Sequence, residues 1–154
     1  MKIIANKLEA SHAKVAIIVA RFNSFINNSL INGAISVLER VGQLKNENIC
    51  TIWVPGIYEI PLTVNTVIIK KKYNGLIVIA TVIKGKTFHF EFISKDLNAI
   101  ISSMSIKNNL PISSGILYVN NIQQAIERAG TKFGNKGEDA ALSLLEMINL
   151  LKNI

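Results

Sequence analysis

Four runs of this chain, Val15 to Val19, Ile49 to Val54, Leu76 to Thr81 and Ile112 to Tyr118, are apolar at nearly every position and bounded by polar or turn residues. A strand with one face in water alternates apolar and polar side chains, whereas a strand covered on both faces is apolar throughout. Segments of helical period lie between these runs. The first, Phe25 to Val41, places Ile26, Leu30, Ala34, Val37, Leu38 and Val41 on one face and is stopped by Gly42. The second has Pro61 near its first turn and Val64, Val67 and Ile68 on one side. The third is predicted from about Phe90 to Ile106, ahead of Asn108, Asn109 and Pro111. A short fourth helix is capped by Asn120 or Asn121 and ends at Gly130, and residues 131–137 form a loop into a last helix running through Leu151.

Strand and helix thus alternate four times and a helix closes the chain. This pattern predicts an α/β fold: a single-domain three-layer α/β/α sandwich around a flavodoxin-like, parallel, four-stranded sheet. At 154 residues the chain suits one domain, which buries roughly two thirds of its unfolded surface. Hydrophobic residues at 49% and charged residues at 18% exclude a disordered chain. No apolar run approaches the roughly 20 residues that cross a bilayer. The first seven residues lack the apolar core of a signal peptide, so a cytoplasmic location is expected, with no membrane partner. Cys50, the single cysteine, lies in an apolar run and is expected to be buried and inert. The net charge of +7 admits a nucleic-acid partner or an anionic substrate. Its densest cluster, Lys70 to Lys72, closes a predicted helix, and no basic stripe is interleaved with aromatics, so no nucleic acid is expected.

In a sheet of this kind, ligands sit beyond the carboxyl ends of the strands. The loops to inspect are therefore Ala20 to Asn23, Pro55 to Glu59, Thr81 to Phe92 and Val119 to Asn121. The third contains a P-loop lookalike, in which Ala80 and four intervening residues precede Gly85-Lys86-Thr87. Three of the four intervening residues, Thr81, Val82 and Ile83, are β-branched and favour extended backbone over a phosphate-wrapping loop. No later strand ends in the Asp that would hold magnesium. A Gly-x-Gly-x-x-Gly dinucleotide fingerprint is absent as well.

Of the two histidines, His12 precedes the first strand on a polar segment and reads as a surface residue. His89, between Phe88 and Phe90, stands at the pocket end of the sheet. Two readings apply to it: a packed, hydrogen-bonded histidine, or a proton-transfer group whose ordinary pKa of about 6.5 suits neutral pH. Lys86, Thr87 and the amides of their turn supply an anion site beside it, which favours the second.

Arg21-Phe22-Asn23, Val54-Pro55-Gly56-x-x-Glu59-Ile60-Pro61, Thr81-Val82-Ile83-Lys84-Gly85-x-Thr87-x-His89-Phe90, Gln124-Ala125-x-x-Arg128-Ala129-Gly130 and Asn135-Lys136-Gly137 together resemble the lumazine synthases. The resemblance spans about residues 13 to 150, and five motifs in register are far more specific than any one. It implies a domain at 13–154 preceded by an extension at 1–12. It implies a transferase of riboflavin biosynthesis that condenses 5-amino-6-(D-ribitylamino)uracil with 3,4-dihydroxy-2-butanone 4-phosphate, releasing phosphate and water, with no metal or other cofactor. It also implies a homopentamer, in many members closed into a sixty-subunit icosahedral shell, with each active site between neighbouring chains.

By the same resemblance His89 is the general acid/base, and Lys86, Thr87 and Arg128 hold the phosphate. Phe22 stacks on the pyrimidine, and Glu59 accepts from ribityl hydroxyls. Ile57, Tyr58, Thr81, Val82 and Ile83 line the pyrimidine and ribityl site, and Asp139 reaches His89 or Arg128. Each has an ordinary alternative: a solvated helix charge for Arg128, a loop aromatic for Phe22, helix-start charges for Glu59 and Asp139, and packing for the rest. The chain departs from the family at Ser114, where a large apolar residue is common, so the pyrimidine is expected to be packed more loosely from that side. Ala80 replaces a common Gly. Lys86 replaces a common small residue, which predicts tighter, salt-sensitive phosphate binding. Tyr118-Val119-Asn120 replaces a Thr-rich strand end. Two other classes would share the fold: a flavin-binding electron-transfer module, which would carry a yellow ligand, and a purely structural shell protein, indifferent to loss of His89.

Overall fold

The computed structural model describes residues 1–5, 7–85 and 89–154, with the side chains of His89, Phe90, Glu91, Ile93 and Ser94 outside the description. Each predicted strand and helix is present. The sheet comprises β1 (Val15–Ala20), β2 (Ile49–Val54), β3 (Gly75–Ile83) and β4 (Ile112–Val119), in the order β2-β1-β3-β4 and parallel throughout. The helices are α1 (Ser24–Arg40), α2 (Ile60–Ile69), α3 (His89–Asn108), α4 (Ile122–Glu127) and α5 (Lys136–Asn153). None of the described helices is long and apolar enough to cross a membrane.

Alternation along the strands sorts the apolar side chains into two cores. Val15, Ile17 and Val19 of β1, with Ile77 and Ile79 of β3, meet α1 and α5 through Leu30, Leu38, Leu144 and Leu145. On the other face Ala16 and Ile18, with Leu76, Val78 and Ala80, meet α2 and α3 through Ile60, Val64, Leu97 and Ile101. The continuous apolarity of the strands is thus explained for β1 and β3, the central pair, which are buried along almost their whole length. It misleads for β2. This edge strand is only half-buried, with Trp53 39% exposed, and β4 is half-buried over its first residues.

Other expectations need correction. Cys50 is half-buried and lies in a shallow cavity of about 550 Å³ with Lys14, Lys71 and Tyr73, at the amino end of the sheet. Its thiol hydrogen-bonds the Tyr73 hydroxyl and holds the phenol pKa up. Val41 is exposed and Val37 half-buried, whereas Asn27 and Ile31 are buried, so the inward face of α1 is rotated from the predicted one. The predicted loop 131–137 is folded: β5 (Ala129–Thr131) and β6 (Gly134–Asn135) pair antiparallel, with Gly130 and Gly134 at φ of 111° and 75°, where a side chain would be strained.

Candidate active site

The connections fix where a crevice must open. The chain leaves β1 towards β2 on one side and returns to β3 on the other, so β1 and β3 are the pair between which the strand order reverses. The register makes the crevice deeper. Pairing of β1 with β3 ends at Val19 opposite Ile79, while β3 continues to Ile83 opposite Val119 of β4. In a parallel ladder successive residues turn their N–H and C=O alternately to the two neighbours. The Leu76 and Lys84 amides donate towards β4, at Pro111 O (3.0 Å) and Val119 O (2.8 Å), so Thr81 and Ile83 direct their main-chain groups to the β1 side, past the end of its ladder.

A buried polar cluster joins the two lips. Asn27 is fully buried on α1, and its amide donates to Ala20 O at 2.6 Å and Phe22 O at 3.0 Å. Its Oδ1 accepts from the Thr81 hydroxyl at 2.7 Å. Asn23, held in the left-handed region at φ 61°, donates from Nδ2 to Thr81 O at 2.9 Å. The Arg21 amide donates to Val54 O at 2.8 Å and fastens the same loop to β2. Among the described residues the buried polar side chains are Asn27, Thr81 and Asn135. A buried polar group without a partner costs roughly 1–3 kcal/mol, and every one of these three is bonded. Sequence reasoning missed Asn27. The signal was its spacing, since it shares the apolar stripe with Leu30, Ile31, Ala34 and Leu38.

Several predicted site residues gather at this end. Phe22, 72% exposed, stands at the mouth, and Tyr58, 92% exposed, follows half-buried Ile57 on the β2 side. Glu59 is half-buried at the N-cap of α2, and its Oε2 would lie 3.2 Å from a Cβ added at Gly56, so the glycine leaves room for the carboxylate. Thr81 and Val82 are in place at this end of β3, but their side chains are buried and committed, and the main-chain groups of Val82 face β4, so backbone on the β1 side comes from Thr81 and Ile83. Ile83 is half-buried and packs on the α1 side. Tyr118, at the unusual strand end, donates to Asn98 Oδ1 at 3.2 Å, and burial pushes its pKa up to about 12. The phenol is neutral at physiological pH and a poor proton carrier there.

The remaining predicted residues are distributed over other elements or lie outside the described residues. Ser114 is exposed opposite Val78, five residues before the end of β4 and so towards the far side of the sheet. Arg128 follows α4 at the base of the β5–β6 hairpin, where Nη1 donates to Gln124 O at 3.3 Å and the guanidinium carbon lies 5.3 Å from the Phe133 ring centroid. Asp139 is exposed in the first turn of α5. Lys86 and Thr87 lie outside the described residues. His89 is the first residue of α3, which carries it just beyond β3, and its side chain is outside the description.

The hairpin and α5 are pinned to α1 by Asn135. Its Nδ2 donates to Ser29 O at 3.0 Å, and its Oδ1 accepts from the Gly137 and Glu138 amides at 2.8 and 3.2 Å, capping α5. A Cβ on Gly33 would lie 2.6 Å from the Asn135 side chain, and one on Gly137 would run into the Leu30 carbonyl. The Asn135-Lys136-Gly137 motif is therefore a docking device for α5.

A family model described as 6,7-dimethyl-8-ribityllumazine synthase matches residues 12–152 of this sequence. The chain belongs to that family. It is 62% identical over 154 residues to 6,7-dimethyl-8-ribityllumazine synthase of Wigglesworthia glossinidia brevipalpis, with all of both chains covered. Identity to the enzyme of the same name is 53% in Blochmanniella pennsylvanica, covering all of this chain and 98% of the relative, and 49% in Sodalis glossinidius, covering all and 99%. The full-length match within the lumazine synthase family accounts for the sheet, the crevice at the β1/β3 reversal and the α5 docking motif as one inherited frame.

Proposed function

We propose how this chain performs the reaction of its family. It is a transferase of riboflavin biosynthesis: it condenses 5-amino-6-(D-ribitylamino)uracil with 3,4-dihydroxy-2-butanone 4-phosphate to give 6,7-dimethyl-8-ribityllumazine, phosphate and water. The observation that carries this is family membership over essentially the whole chain. The chemistry asks for an amine to attack a ketone, for phosphate to leave and for a ring to close with loss of water. Those steps call for positioning and proton transfer more than for a strong nucleophile.

In our reading the uracil lies in the β1/β3 crevice. Its polar edge meets the main-chain groups of Thr81 and Ile83, its face stacks on Phe22, and its ribityl chain runs past Ile57 and Tyr58 to Glu59. His89, at the start of α3, moves the protons. Lys86 and Thr87 hold the phosphate from the same chain. Ser114 lies towards the far side of its own sheet and Arg128 is held at the base of the β5–β6 hairpin by Gln124 and Phe133; we assign both to the neighbouring chain's site, Arg128 at the phosphate and Ser114 against the pyrimidine. That assignment makes the active unit a homo-oligomer, a pentamer with sites between subunits, which twelve such rings can close into a shell. Exposed Phe22, Tyr58, Leu62 and Trp53 supply apolar surface for such contacts. Residues 1–12 form an extension in this scheme and 13–154 the catalytic domain, working in the cytoplasm without a cofactor.

The test is to mix purified protein with both substrates and follow lumazine absorbance together with phosphate release. Both signals are expected to rise together. A folded protein that gives neither has another function.

A further inference from the structure

We propose that Phe133 is a positioning residue of the phosphate subsite, its ring holding the Arg128 guanidinium and gathering Lys132 as a second cation. The proposal rests on the phosphate role given to Arg128 above. The β5–β6 hairpin pairs Thr131 with Gly134, which leaves Lys132 and Phe133 as its two turn residues. The backbone of that turn is tied down: the Phe133 amide donates to Glu127 O at 2.8 Å, and the Lys136 amide to Arg128 O at 3.0 Å. The ring is therefore held over the end of α4, although it is 57% exposed. The Arg128 guanidinium carbon and the Lys132 Nζ each lie 5.3 Å from its centroid, inside the range at which a cation is drawn to an aromatic face.

An exposed aromatic that collects two cations is costly unless something compensates, since like charges brought to one ring repel. Among the described residues neither cation has a carboxylate partner, and Arg128 spends one N–H on Gln124 O, so most of its donors remain. A phosphate monoester supplies what is missing: two negative charges and acceptor oxygens matched to a guanidinium fork. Without the ring, Arg128 would sample many rotamers before meeting that phosphate. With it, the guanidinium is presented in one region, and Lys132 adds positive potential beside it. Phe133 thereby acts on affinity for the phosphorylated substrate without touching the reacting atoms.

The experiment compares Phe133→Leu, Phe133→Trp, Lys132→Ala and Arg128→Ala in the full-length protein. It measures KM for each substrate, inhibition by inorganic phosphate and melting temperature. Phe133→Leu is expected to raise KM for the butanone phosphate and the inhibition constant of inorganic phosphate together, roughly three- to tenfold, while KM for the uracil stays put. Phe133→Trp should restore both. Lys132→Ala should give a smaller rise and a flatter salt dependence. If Arg128→Ala weakens phosphate and Phe133→Leu does not, the positioning role is overturned and the Arg128 assignment survives. If both KM values move together with a lowered melting temperature, Phe133 is only structural. If Arg128→Ala leaves phosphate affinity unchanged, both assignments fall.

Discussion

Asn27 and Asn135 are both buried amides bonded to α1 or its flanking loop, but they hold unlike parts of the molecule. Asn27 draws two strand-end loops inward, and each of its polar atoms ends on a group of the crevice wall. Asn135 fixes only the base of its hairpin, whose tip carries Lys132 and Phe133 out towards solvent above half-buried Arg128. One region is a finished wall within a single chain. The other is an exposed turn on a firmly mounted base. The contrast teaches that a small domain can hold its loops in two styles, by buried side-chain bonds that fix the loop itself and by a single buried anchor that leaves the turn beyond it exposed.

Substitutions can break or sharpen that contrast. The largest effect is expected from His89→Ala, which should lower kcat by about 10²- to 10⁴-fold with circular dichroism and oligomer size unchanged. An activity within a few-fold of the parent protein would remove His89 from proton transfer. Next comes the wall: Asn27→Leu orphans the Thr81 hydroxyl and two carbonyls and should cost about 1–3 kcal/mol in denaturant unfolding, with KM for the uracil raised. A stable Asn27→Leu protein with an unaltered uracil KM would mean that the wall is not what seats the ring. Phe22→Ala should raise the same KM roughly tenfold, since base stacking on an aromatic contributes about 1–3 kcal/mol, and titration with the uracil substrate reads this directly. The smallest effect belongs to Lys86→Ala, a few-fold loss of affinity for the butanone phosphate. If the salt dependence of that affinity survives the substitution, Lys86 lies outside the phosphate's field.

The frame was legible in the sequence because it rests on local pattern. Continuous apolar runs marked the strands, Gly42 and Pro61 marked helix limits, and the carboxyl-end rule selected the end of the sheet where Asn23, Asn27 and Thr81 are bonded together. What stayed hidden depends on contacts between distant residues. Edge and centre strands look alike when both are apolar, so the exposure of Trp53 followed only from the strand order. The hairpin was hidden because three- and two-residue strands have no period to detect, and its glycines read equally well as loop. The bond between Asn27 and Thr81 spans 54 positions, and neither residue type announces it. Ser114 and Arg128 entered through resemblance alone. The place of Ser114, opposite Val78 and well short of the carboxyl end of β4, became visible only once the strand registers were known.

The overhang of β3 past β1 has an evolutionary corollary. Point mutation replaces side chains and leaves amides in place, so the main-chain groups that Thr81 and Ile83 turn to the β1 side keep their donors and acceptors through nearly any substitution except proline. A lineage whose sequence drifts towards isoleucine, asparagine and lysine can thus rewrite the text of this strand and still present the same polar edge.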